Sequence, residues 1–321
     1  MHWELAVPGL LSGSAPGRFP SIERLLARGR RQERSPVGLE AWLMGNFGLE
    51  GENVPAGALT LLAGNGDPGG DSWLRADPVH LRMMRDRPVV VPAEALDLSR
   101  AEADALCAAL NDHFAGTIEV RAIDPRRWCA RIEKAFSTNK VSALEEAGRE
   151  VLTGDPLLNE IQMLLHAHPV NEAREARGEP PVNSLWLWGA GKTPKVTSTW
   201  SSVLADDPVA MGLARLAHAR YSSLPASAAA WLERAPEEGR HLVVLDALRV
   251  PAALGDVDSC KRNLDALERD WFAPVLRALR SGRIGMATVH VPDGPAAASF
   301  ETVRGDLLRF WRRAKRLASP A

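Results

Sequence analysis

Residues 241–291, HLVVLDALRVPAALGDVDSCKRNLDALERDWFAPVLRALRSGRIGMATVHV, carry the pattern that decides the fold. His241 to Leu245 is a compact run rich in Leu and Val, the composition of a buried strand. From Asp258 to Arg280 the apolar residues recur at three- and four-residue spacing, which predicts a long amphipathic helix. Arg283 to Val291 predicts a second strand. Strand, crossover helix and strand form a right-handed unit and therefore a parallel sheet. Ligands of such sheets sit outside the carboxyl ends of the strands. Asp246 and His290 fall at those two ends and would approach each other if the strands are neighbours.

Working outward, residues 159–194 read NEIQMLLHAHPVNEAREARGEPPVNSLWLWGAGKTP. Asn, His and Arg set between apolar residues each demand a hydrogen-bond partner and cost free energy without one. The block therefore reads as a polar surface or the wall of a pocket. His166 and His168 have the spacing of some metal ligands, but two residues apart on a helix they point to different sides. His168 precedes Pro169, which places its imidazole near Asn171 and Arg174. Trp186 and Trp188 alternate with Leu185 and Leu187, as on one face of a strand, where core packing competes with stacking on a ligand. Gly189-Ala190-Gly191-Lys192-Thr193 lacks the earlier glycine of a P-loop, Trp186 standing there, and Pro194 interrupts the helix that a P-loop needs. A Gly-rich turn with Lys192 can still offer amides and a cation to a phosphate or carboxylate, or be a tight turn with a solvated lysine.

The first 120 residues mix short elements. Ser21 to Arg30 and Pro36 to Phe47 have helical spacing, Leu59 to Ala63 reads as a strand ending in the Gly-rich turn 64–70, and Ser99 to Glu102 is a capping box before the stripe Leu106, Leu110, Phe114. Thr117 to Val120 and Arg127 to Ile132 read as strands. After the central block, Asp207 to Tyr221 and Ala226 to Arg234 read as helices. The expected organisation is residues 1–91 as the N-terminal part of an α/β core, 92–150 as a small α+β cap-like region, and 151–321 as the rest of the core.

Composition bounds the partners. Lys+Arg 39 against Asp+Glu 40 leaves a net charge of −1, so no global basic field exists for nucleic acid or an anionic membrane, and a charged partner must be met locally. Neither is expected as a partner. The three cysteines, Cys107, Cys129 and Cys260, are far apart and lack CxxC spacing, which fits a reducing cytoplasm and argues against disulfides or a thiolate zinc site. No apolar run approaches the ~20 residues that span a bilayer.

The set His168-Pro169-Val170-Asn171, Arg174, Gly178, Asn183, Trp186, Trp188-Gly189 and Gly191 resembles the HPVN..R..G..PAN..W.WG.G..P stretch of the archaeal-type cofactor-independent phosphoglycerate mutases. Trp73 to Leu81 and Asn159 to Met163 are also similar to stretches of shorter bacterial proteins, some described as Rpf-type regulatory proteins and some as phosphoglycerate mutases. The resemblance implies an alkaline-phosphatase-like fold, a mostly parallel sheet flanked by helices, and a reaction using two divalent metals and a Ser nucleophile. The mutases have a strand, a loop bearing Asp and His, a long helix, and a strand ending in Thr-Ala-Asp-His. Here Asp246 and Asp256 remain in the loop without the His, and the strand reads Ala287-Thr288-Val289-His290, with Val289 in place of the metal-binding Asp. Valine offers neither charge nor lone pair to a dinuclear site. Laid beside the mutases' N-terminal Asp-Gly-x-Gly-Asp and Pro-Gly-Ser-Asp turns, residues 61–71 put Ala63 at the metal Asp and Gly70 at the nucleophile.

These substitutions imply a non-catalytic relative in a regulatory role, with His168, Asn171, Arg174, Asn183, Trp186, Trp188 and Lys192 lining a site for a small phosphorylated or carboxylated ligand. No cofactor is expected on that reading. The alternative is a working mutase or metal-dependent phosphatase that uses Mn or Zn at an altered site built on Asp246, Asp256 and His290. A third possibility makes the central block pure architecture, with Asn171 and Asn183 capping turns and Arg174 paired to Glu172 or Glu175.

Overall fold

The computed structural model describes residues 1–12, 16–49, 51, 53–84, 87–133, 138–150, 155–235, 238–314, 316 and 317. In chain order the elements are β1 (His2–Ala6), α1 (Pro20–Arg28), β2 (Arg30–Glu33) and α2 (Leu39–Asn46), then α3 (Ala56–Ala63), β3 (Trp73–Met84), β4 (Arg87–Val91), α4 (Arg100–His113), β5 (Ile118–Asp124), β6 (Arg127–Ile132), α5 (Pro156–His166), α6 (Pro169–Ala176) and β7 (Ser184–Gly191). The last third carries β8 (Ser202–Leu204), α7 (Pro208–Leu216), β9 (Arg220–Ser222), α8 (Ala228–Leu232), β10 (Arg240–Val244), α9 (Arg249–Leu254), α10 (Val257–Leu267), α11 (Ala273–Ser281), β11 (Met286–Val291) and β12 (Ala298–Val303).

These elements form two compact units. Met1–Glu50 joins Val196–Ala321 in the first, and Gly51–Lys195 forms the second. The expected boundaries at 91 and 150 both fall inside the second unit, and the central block lies there as well, not in the core that ends the chain. The reason is pairing. β3, placed by sequence in the N-terminal core, bonds β7 through five residues from Arg75 to Val79, so both belong to one sheet.

The first unit holds a seven-stranded sheet in the order β2-β12-β11-β1-β10-β8-β9. β11, β1, β10, β8 and β9 are parallel, and at one edge β12 runs antiparallel to β11 and β2 antiparallel to β12. The class expected from the sequence, a mostly parallel sheet flanked by helices with a smaller α+β region, is the class found. One detail differs. β1 lies between β10 and β11, pairing Ala6 with both Val244 and His290, so the two strands of the predicted crossover unit are not neighbours. The long helix predicted over 258–280 spans Val257–Ser281 in three pieces, with a π-helical turn at Glu268–Phe272 just before Pro274. A proline removes one amide from the helical ladder and crowds the carbonyl four residues earlier, which the wider turn accommodates.

Alternation along the strands sorts the two faces of this sheet. Trp3, Leu5, Val243, Ala287 and Val289 face one side and join Ile22 and Leu25 of α1, Leu264 of α10 and Val275 and Leu279 of α11 in a single apolar cluster. Each such buried side chain stabilises the fold by about 1.5–3 kcal/mol relative to exposure. The alternate positions put Glu4, Thr288 and His290 opposite.

The second unit is built on an antiparallel sheet, β4-β3-β6-β5 with β7 also on β3. Its core gathers Leu74, Leu106, Leu110, Trp128, Ile161, Leu165, Leu185 and Leu187. The capping box at Ser99 and Glu102 forms as expected and starts α4. Leu59 to Ala63, predicted as a strand, is instead the end of α3. Residues 56–61 are buried without interruption, and an apolar run that short has no period to separate helix from strand. Gly57 is required there, because a Cβ would stand 2.3 Å from the Leu74 backbone. The alignment of residues 61–71 with a strand-and-turn of the mutases therefore fails: the strand that opens the parallel sheet is β1, and the chain leaves it through Val7-Pro8-Gly9.

Candidate functional site

Of the seven residues expected to line a pocket, all in the second unit, His168, Asn171, Arg174, Asn183, Trp186 and Trp188 bond to internal partners, whereas Lys192, at the other end of β7 from Asn183, is exposed. His168 caps α6, its Nδ1 accepting from the Val170 amide at 3.2 Å. Asn171 is 2% exposed and bridges two segments, donating from Nδ2 to the carbonyls of Leu165 (2.7 Å) and Val182 (2.8 Å) and accepting from the Val182 amide at 2.8 Å. Asn183 imitates a strand residue. Its Oδ1 accepts from the Leu81 amide at 2.7 Å and its Nδ2 donates to the Leu81 carbonyl at 3.1 Å, extending the β3–β7 ladder by one side-chain rung.

Arg174 is fully buried, at 0% exposure. Its Nε donates to the Pro180 carbonyl at 2.9 Å, Nη1 lies 3.2 Å from Glu102 and 3.5 Å from Glu179, and Nη2 donates to the Leu96 carbonyl. Arg177 holds the same Glu102 at 2.8 Å. Burial opposes ionisation of Glu102, but hydrogen bonds from Ser99 and the charges of Arg174 and Arg177 win and bring its carboxyl below the usual range. Glu172 and Glu175, the partners expected from the sequence, are not the ones used.

The tryptophans complete this framework. Trp186 donates to the Val141 carbonyl at 2.9 Å, and Trp188 donates to Asp77 at 2.7 Å. Asp77 in turn takes Arg75 Nε at 2.9 Å, and the Arg75 guanidinium lies 5.5 Å from the Trp188 ring centre. Lys192 is exposed. For Asn171, Arg174 and Asn183 the expected ligand contacts are thus replaced by internal ones, because loops that enter a buried sheet leave carbonyls and amides that need partners. A surface cavity of this unit, lined by Glu94, Asp97, Leu98, Asp124 and Arg126 among others, includes none of the seven.

In the first unit, chemistry-bearing groups collect along β1 and at the carboxyl ends of the strands. Glu4 is the hub of β1. It accepts from Arg240 at 2.7 Å, lies 2.9 Å from His290 Nε2, and is 3.6 Å from His2. Burial pushes the Glu4 carboxyl up, but the bonds and charge of His290 and Arg240 outweigh it and bring it down to about 2. The His290 ring also rests on Trp42 of α2, 4.9 Å between centres. Beyond the strand ends, Arg249 binds Glu40 through both carboxylate oxygens at 2.6 and 2.8 Å. Asp207 caps α7, accepting from the Ala210 amide at 2.8 Å, and burial together with the charge of Glu40 pushes its carboxyl up to about 6. Asp293 accepts the Gly9 amide through both oxygens at 3.0 and 2.9 Å, and burial raises its carboxyl. Gly9 needs its positive φ of 80°, and a Cβ there would meet the Leu248 carbonyl at 3.1 Å.

These groups do not fit a pair of divalent metals. Among the described residues no three of His, Cys, Asp and Glu are grouped to hold an ion. Asp256 caps α10, accepting from the Ser259 amide at 3.0 Å. His290 is committed to Glu4, and Val289 faces the apolar cluster on the other side of the sheet. Asp246 and His290 end strands that β1 separates. Sequence reasoning passed over Glu4, Glu40, Asp207, Arg249 and Asp293. The alternation Trp3-Glu4-Leu5 and the Asp207-Pro208 helix start were the available signals.

No family model matches the chain. It is distantly homologous to cofactor-independent phosphoglycerate mutases. The 2,3-bisphosphoglycerate-independent phosphoglycerate mutase of Methanosarcina barkeri is 24% identical over 191 residues, 53% of this chain and 47% of that protein. The enzyme of the same description from Methanosarcina mazei is 25% identical over 174 residues, 48% of this chain and 43% of its own length. The chain thus spans about half the length of these curated relatives. A probable mutase of Geobacter sulfurreducens is 45% identical over a shorter 42 residues, 13% of this chain and 10% of that protein. Among solved structures, the PH0037 protein of Pyrococcus horikoshii superposes with a TM-score of 0.56 at 14% identity, covering 94% of this chain and 86% of that one, which shows a shared fold. No helix among the described residues is long and apolar enough to cross a membrane.

Proposed function

We propose that this distant homologue of the phosphoglycerate mutases is non-catalytic and acts in a regulatory role. One observation carries the reading: the carboxylates and histidine along β1 and at the strand ends already have protein partners, Arg240 and His290 on Glu4, Arg249 on Glu40, the α7 amide on Asp207 and the Gly9 amide on Asp293. A dinuclear centre needs several carboxylates free to balance about four positive charges. A small phosphorylated or carboxylated ligand remains part of the reading, with Lys192 an exposed cation of the central block.

The alternative of a working mutase or phosphatase is favoured by the same carboxylates if metal displaces their partners. Elemental analysis of the purified protein, a thermal-shift titration with Mn²⁺ and 3-phosphoglycerate, and a coupled assay for 2-phosphoglycerate formation separate the two. The expected result is no bound metal and no turnover, with stabilisation by phosphoglycerate alone if the ligand is of that class. Two metals per chain, or turnover, overturns it.

A further inference from the structure

The near-neutral total charge conceals one concentrated surface in the first unit. Leu308, Phe310 and Trp311 are 75%, 77% and 67% exposed, three large apolar side chains within four positions. Phe310 and Trp311 meet edge to face at 5.3 Å, which holds them as one ridge. The ridge is anchored on both sides, since Leu307 is buried in the apolar cluster and Leu317 packs against it. Side-chain bonds tie it to the end of α1: Arg312 donates to the Gly29 carbonyl at 3.2 Å, Arg309 donates to that of Arg28 at 3.4 Å, and Arg28 donates to the Leu307 carbonyl.

The flanks of the ridge are cationic. Arg312 and Arg313 are exposed, and no carboxylate among the described residues pairs with either. Burial, and then repulsion from Arg24 and Arg280, hold the Arg28 guanidinium below its usual pKa. An exposed apolar cluster rimmed by one sign of charge marks an interaction surface.

We propose that Leu308, Phe310 and Trp311, with Arg28, Arg312 and Arg313, form a docking surface for anionic lipid headgroups, by which the protein binds a membrane from one side. The chemistry selects this occupant. Aromatic and aliphatic side chains enter the headgroup boundary while arginines beside them meet lipid phosphates. Single-stranded nucleic acid would use stacking platforms, and Leu308 offers none while the edge-to-face pair covers part of one ring. A second copy docking through the same patch about a twofold axis would set Arg312 and Arg313 against their own like charges.

Sedimentation of the full chain with vesicles tests the proposal. Binding to phosphatidylcholine vesicles containing phosphatidylglycerol is expected to exceed binding to phosphatidylcholine alone by about tenfold or more, and to weaken as salt is raised. The variants Phe310→Ser/Trp311→Ser and Arg313→Gln should lower that binding by about tenfold and about fivefold respectively while melting as the parent does, because these three side chains are exposed and make none of the bonds to α1. Failure to bind anionic vesicles, equal binding to both vesicle types, or undiminished binding by either variant overturns the proposal. So does tighter association with a single-stranded RNA oligomer, or a parent dimer that the aromatic variant converts to monomer.

Discussion

The central block of the second unit and the β1 and strand-end region of the first are both dense in polar side chains, yet they spend them differently. In the block, Asn171, Asn183 and Arg174 bond mainly to carbonyls and amides of the backbone. Along β1 and at the strand ends, Glu4, His290, Arg240, Glu40 and Arg249 bond chiefly to one another's charges. Backbone bonds to amides and guanidinium groups do not titrate near neutral pH, so the block should behave as a pH-insensitive clamp. Charge-to-charge pairs should make the other region sensitive to pH and to ions. A motif dense in Asn, Arg and Trp can thus mark a fold as readily as a site.

The sharpest way to break this comparison is to remove Arg174. Arg174→Met strips partners from the carbonyls of Leu96 and Pro180 and leaves Glu102 and Glu179 with less compensation. A buried cation removed from such a set costs about 3–5 kcal/mol. Urea unfolding of the variant should show that loss in full. A variant that kept its stability but lost a thermal shift with 3-phosphoglycerate would move the block back to the ligand reading. Asn171→Ala should follow with about 2–3 kcal/mol, since three bonds vanish and two carbonyls and an amide are left buried. A loss below about 1 kcal/mol would mean that water replaces the side chain there.

The pH dependence sharpens the other half. Glu4 has its carboxyl lowered to about 2, so its contribution is present above the ordinary carboxylate range near 4.5 and is lost as pH falls through about 2. Glu4→Gln should cost about 2 kcal/mol at pH 7 and flatten the acid limb of a stability profile measured by urea unfolding. Asp207 runs the opposite way. Its carboxyl is raised from 3.8 to about 6, so the stability linked to its protonated form is present below 3.8 and lost as pH rises through about 6. Asp207→Asn should remove about 2 kcal/mol of that slope while keeping a side chain able to cap α7. Unchanged slopes in both variants would show that the charges of this region are screened by solvent.

The sequence pattern made the parallel sheet legible because the short Val- and Leu-rich runs near His241 and Met286 flank a helix of unambiguous period, and the capping box at Ser99 names its own helix start. It did not make the division of the chain legible. β3 and β7 are separated by 99 residues between Met84 and Ser184, and no local pattern reports that they pair. For the candidate site, residue types in the central block were read correctly as needing partners, but whether the partner is a ligand or a carbonyl is decided by burial, which only the fold supplies. Glu4 and Arg249 escaped notice because isolated charges in short strands and helices look solvated until a neighbouring strand covers them.

Asp256 gives the smallest effect and the cleanest discrimination, since the resemblance to the mutases offered it as a metal-ligand remnant and the structure uses it as a helix cap. Its Oδ1 accepts the Ser259 amide at 3.0 Å at the start of α10, and Ser259 Oγ donates to the other oxygen. Serine is about as good an N-cap as aspartate, whereas alanine is not. Asp256→Ser should therefore leave the thermal midpoint within about 1 °C of the parent, and Asp256→Ala should lower it by about 2–4 °C. A residual ligand role predicts the reverse ranking of concerns: serine would be as damaging as alanine to any Mn²⁺-dependent stabilisation, because a hydroxyl replaces a charged donor poorly at a divalent ion. Midpoints measured with and without Mn²⁺ for the three proteins separate the cap from the ligand, since the cap needs only an acceptor in the right place and the metal needs the charge.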